Sequence, residues 1–168
     1  MTRAAVILAR REPVGREPAG RGRSAPRAAA VNAKAALDAD FDEVLAVVTD
    51  AGAANGLPDG VTVLLDEAGE PDEASSLRVA TDWCARMGHH DVVVAALYEA
   101  GPLDVAGWRL LAEATSTPIV LARNRRGRLA VARLEATVFS LLPLEGRVDV
   151  LWRSRPELLS ELAVDVEP

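Results

Sequence analysis

The sequence predicts an α/β protein with a mainly parallel β-sheet, and three observations carry that expectation. Short apolar runs alternate with stretches of helical periodicity along most of the 168 residues, the pattern of successive βαβ units. The run Val92-Val93-Val94-Ala95-Ala96-Leu97 is apolar at every position, as suits a strand covered on both faces. Ala4–Ala9 is a second such run and breaks at once into the Arg/Gly/Pro segment Arg10–Arg27, the way many α/β proteins present N–H groups and cations to a phosphate.

In chain order, the first strand is Ala4–Ala9 and the first helix runs from about Arg27 to Ala39. Pro26 stands before that helix, and Ala30, Val31, Ala35 and Leu37 are expected on its inward face. The second strand, Glu43–Val48, closes at Thr49-Asp50 and the loop Ala51–Gly60. The third, Val61–Leu65, ends at Asp66 and an acidic linker, Glu67–Glu73, broken by Gly69 and Pro71. Ser75 and Ser76 open a helix to about Met87, with Leu77, Ala80, Cys84 and Met87 on one stripe. His89-His90 falls in the turn before the fourth strand, Asp91–Leu97. A helix follows from about Asp104 to Thr115, with Asp104 as N-cap and Val105, Trp108, Leu111 and Ala112 inward. Pro118–Ala122 and Leu129–Leu134 flank an Asn/Gly-containing connection and read as a hairpin. A helical piece, Glu135–Leu142, comes next. A last helix near Pro156–Leu162 leads into a terminal strand, Ala163–Val166.

Composition narrows the function classes. With 49% hydrophobic residues the chain has enough apolar surface for one domain over residues 1–168. Only three Trp, two Phe and one Tyr are present, so the core rests on Ala, Val and Leu. All basic residues except Lys34 are arginine, which fits coding bias and lowers the weight of any single Arg. Residues 1–27 hold seven Arg against two Glu, a net of +5, which leaves −11 of the overall −6 on the rest. That local positive charge, without interleaved aromatics, argues against a general nucleic-acid binder. Cys84 is the only cysteine, so no intrachain disulfide or multi-cysteine metal site can form. No run approaches the roughly 20 apolar residues of a membrane helix, and Met1–Ala9 is too short for a signal-peptide core. The expected location is the cytoplasm.

The order of elements resembles the MobA-like nucleotidyltransferases, the family of the molybdenum-cofactor guanylyl- and cytidylyltransferases and the phospholactate guanylyltransferase. The matching pieces are Val6-Ile7-Leu8-Ala9, Phe41 to Val48, Ser75-Ser76-Leu77-Arg78, and Val92 to Leu97 with Pro102-Leu103. The likeness spans nearly the whole chain. It implies a Rossmann-like three-layer α/β/α sandwich with a C-terminal hairpin at an antiparallel edge. It further implies transfer of a nucleotidyl group from an NTP to a phosphorylated small molecule, assisted by Mg²⁺. On that basis Ala9, Arg10, Arg11 and Arg16 are candidates for triphosphate contact, and Ser76 and Arg78 for the nucleotide or acceptor. Asp66 and Glu99 are candidates for the reaction centre, with Glu99 and Asp149 as metal ligands.

The departures from the family pattern are concentrated at its site. The family continues the first strand as Leu-Ala-Gly-Gly and then Arg-Met-Gly with a Lys, whereas Ala9 is followed here by Arg10-Arg11 and no Lys precedes Lys34. The family ends its fourth strand in a metal-binding Asp, where this chain has Tyr98 with Glu99 beside it. A neutral phenol does not replace a carboxylate that Mg²⁺ demands at ~2.0–2.1 Å. The late Gly-Asp motif reads Gly146-Arg147-Val148-Asp149. The competing reading is therefore a degenerate relative that binds a nucleotide or a protein partner without turnover.

Several signals also have a plain structural reading. Pro13, Pro18 and Pro26 remove donors from the arginine segment and weigh toward a solvated surface loop. Gly15 to Gly20 is spaced like a P-loop, but Arg21-Gly22 stands where Lys-Ser/Thr is required. Ser75-Ser76 could be an ordinary cap, and Asp66 a turn former. His89-His90 is expected in a solvated turn, Arg123–Arg128 at a solvated hairpin end, and Cys84 as core filler.

Overall fold

The computed structural model describes residues 2–9, 25–96, 103–123, 129–142 and 154–163. β1 (Thr2–Ala9) and β4 (His89–Ala96) lie side by side at the centre of the sheet, and β2 (Glu43–Val48) and β3 (Val61–Leu65) extend it beyond β1. These four run parallel. Beyond β4, β6 (Leu129–Glu135) pairs antiparallel with both β4 and β5 (Ile119–Arg123), and β7 (Leu159–Ala163) runs parallel to β5. The order is β3-β2-β1-β4-β6-β5-β7, so β6 alone runs against the others.

Helices cover both faces. α1 (Ala25–Asp38) and α3 (Val105–Glu113) pack on one, and α2 (Glu73–Met87) with a 3₁₀ turn, Ala136–Leu141, packs on the other. The alternation of strand side chains explains how one strand serves two layers. From β1, Ala5, Ile7 and Ala9 point to the α1/α3 layer, while Ala4, Val6 and Leu8 point to the α2 layer. Full burial of each larger aliphatic side chain contributes about 1.5–3 kcal/mol, and Ala4 through Ala9 are all buried. In the α1/α3 layer Trp108 is fully buried and meets Phe41 edge-on, with ring centres 5.7 Å apart.

The expected α/β sandwich is thus observed, with local differences that have physical causes. α1 carries alanine on every side, so periodicity could not choose its face. Ala29, Asn32, Ala33 and Ala36 are buried, and Val31 is 45% exposed. α2 starts at Glu73, before the serines, and its final residue Met87 is 55% exposed where the helix runs past the sheet. Gly88, at φ 77°, turns the chain directly from α2 into β4, so His89 and His90 belong to the strand and His89 is buried. The β5–β6 hairpin forms as expected but lies inside the sheet, because β7 adds to its outer side. The 3₁₀ turn Pro156–Leu158 leads straight into β7, whose residues Leu159–Leu162 the sequence placed in a helix. There the pairing of Leu159 through Ala163 with β5 overrides the local helical pattern.

Candidate functional site

β1, β2, β3 and β4 are parallel, so their carboxyl ends share one edge of the sheet. From β1 the chain moves outward to β2 and β3, and α2 then carries it back across β1 to β4. Connections therefore leave neighbouring β1 and β4 in opposite directions. Open α/β sheets bind ligands in the crevice at such a switch point. Ala9, the last residue of β1, lies at this edge and pairs with Val48 of β2. Arg10, Arg11 and Arg16, which follow β1, and Glu99, which follows β4, lie outside the described residues, as does Asp149.

Asp66 is the candidate whose surroundings are clearest. Its amide donates to the Val48 carbonyl at 2.8 Å, which fixes it at the end of β3. Its buried carboxylate accepts from Ser75 Oγ at 2.6 Å, Ser76 Oγ at 2.8 Å and the Ala68 amide at 3.1 Å. Asp66 and Ser76, both selected from the sequence, are thus brought together as each other's partners. A carboxylate offers roughly four lone-pair positions. Three of those on Asp66 already hold protein donors.

These bonds also define the start of α2. Asp72 is the N-cap and accepts from the Ser75 amide at 2.8 Å, while Ser75 Oγ accepts from the Asp72 amide at 2.9 Å. Both serines were read as the helix start, yet Ser75 is the third helical residue and completes a capping box. Asp72, Glu73 and Asp66 surround this helix end with carboxylates, the charge its dipole favours. The position an anion would take is filled by the protein itself. Arg78 is half-buried and follows Ser76 by two residues. That spacing, about 200° around a helix, turns it away from the Ser76–Asp66 contact.

Three polar ties at other places were not selected from the sequence. Asn32 of α1 is 2% exposed and accepts from the Leu103 amide at 2.9 Å. At the amino ends of the strands, Glu43 accepts from Thr62 Oγ1 at 3.1 Å, Trp83 Nε1 at 3.1 Å and His89 Nε2 at 2.7 Å. Also at that end, the fully buried Arg133 donates to Asp91 at 2.6 Å and to Glu135 at 3.3 Å. The only available signal was the residue type itself, a polar side chain inside an apolar pattern. Cys84 is core filler as expected: burial, and then the charge of Glu43, push its thiol up to about 12. Among the described residues no group of three or more His, Cys, Asp or Glu is placed to hold a metal ion.

Comparison with known proteins adds fold-level information. No protein-family model matches the sequence, and no curated protein does. Solved structures do. Rv0371c from Mycobacterium tuberculosis H37Rv superposes with a TM-score of 0.70 at 24% identity, covering 98% of this chain and 88% of that one; it has also been solved in complex with manganese. A nucleotidyl transferase from Methanothermobacter gives 0.70 at 19% identity over 99% of this chain and 88% of its own. The CMP:2-keto-3-deoxy-manno-octonic acid synthetase complexed with CTP gives 0.69 at 11% identity over 100% and 92%. The chain has the α/β fold of nucleotidyltransferases.

Proposed function

We propose that the chain binds a nucleoside triphosphate in the crevice at the carboxyl ends of β1 and β4, and transfers its nucleotidyl group to a phosphorylated small molecule. The observation that carries this reading is the strand order, which places a switch point between β1 and β4 in a fold shared with a nucleotidyl transferase and a CTP-bound synthetase. An acceptor phosphate oxygen would attack the α-phosphorus, the bond to the bridging oxygen of the β-phosphate would break, and pyrophosphate would leave.

In this reading the backbone at Ala9 approaches the phosphates and Arg10, Arg11 and Arg16 neutralise them. Asp66 holds α2 against the rim and offers its remaining acceptor position to a ribose hydroxyl. Ser76 acts through Asp66, and Arg78 serves the outer side of α2. Mg²⁺ would supply charge neutralisation on the phosphates, with Glu99 and Asp149 as proposed ligands. Asp66 is the one candidate carboxylate among the described residues, and its engagement with three donors does not suit a hard cation that needs several free oxygens. That same engagement favours a second reading, a nucleotide-binding module without turnover.

Titration of GTP, CTP and ATP, each with and without Mg²⁺ or Mn²⁺, while following thermal unfolding tests both readings. A nucleotide present at 100 times its dissociation constant stabilises by about 2.7 kcal/mol. A metal-dependent shift together with pyrophosphate release in a screen of phosphorylated acceptors is the result expected for the transferase. A shift without pyrophosphate in any acceptor screen supports the module, and no shift with any nucleotide sinks both.

A further inference from the structure

We draw no further inference here: the strongest candidate, the outer edge of β3, where Val63 and Leu65 stand exposed and no further strand pairs among the described residues, is an unpartnered apolar edge, and nothing in the structure shows what covers it.

Discussion

At the amino ends of the strands Glu43 takes hydrogen bonds from side chains of β3, α2 and β4, whereas at the carboxyl ends Asp66 takes its own from two adjacent serines and an amide two residues along the chain. The first arrangement ties four elements that are remote in sequence. The second ties one strand end to the helix that follows it. Arg133 extends the first pattern, since it bridges Asp91 of β4, Glu135 of β6 and the Thr117 carbonyl before β5. The difference teaches that, among the described residues, Glu43 and Arg133 brace the sheet across long sequence distances at the amino ends of the strands, whereas Asp66 at the carboxyl end of β3 is held by its own local segment.

Breaking the Arg133–Asp91 pair is the severest test. Arg133→Met leaves buried Asp91 with Arg3, at 3.9 Å, as its cation among the described residues, and is expected to cost about 3–5 kcal/mol in urea unfolding. Adding Asp91→Leu should recover most of that loss, because replacing both partners removes the stranded charge. Nucleotide affinity should stay constant throughout. Next in size, Glu43→Ala strands the donors of Thr62, Trp83 and His89 and is expected to cost about 2–3 kcal/mol.

Asp66→Ala should cost less, about 1–2 kcal/mol, since the two serine hydroxyls can rotate to other acceptors. Nucleotide binding should weaken in this variant alone of the three. A stability loss equal to that of Glu43→Ala, measured in the same urea series, would break the comparison between the two ends. The smallest effect is in alkali. The Cys84 thiol ionises at 9.0 when unfolded but only at about 12 in the fold. Its contribution is whole below pH 9.0 and lost as pH climbs toward 12. At pH 9.5 the loss is under about 1 kcal/mol. The difference in stability between wild type and Cys84→Ala, followed from pH 7 to 10, should shrink accordingly.

How far the sequence could be read follows from the distance between partners. β2 and β3 occupy the residues expected, because a run of apolar residues bounded by turn formers is a local signal. Asp104 caps α3 as expected for the same reason. Asp66 and Ser76, ten residues apart, were each selected from the sequence for separate roles, and their contact with each other was not read there. Glu43 and His89 are 46 residues apart, Asp91 and Arg133 are 42, and Asn32 and Leu103 are 71. Nothing local marks such pairs. His89 was therefore expected in a solvated turn, though it is a buried partner of Glu43. β7 was misread because its residues are held in extended form by β5, not by their own preference.

The placement of the indoles turns the layering into something that can be watched. Trp108 is buried in the α1/α3 layer beside Phe41, and Trp83 sits in the α2 layer with its Nε1 on Glu43. With Trp152 replaced by phenylalanine, a further Trp83→Phe change leaves a single indole in the α1/α3 layer, and Trp108→Phe instead leaves a single indole in the α2 layer. Coincident emission midpoints would mean that the sheet melts as one cooperative unit, and separated midpoints would show one layer peeling from it first.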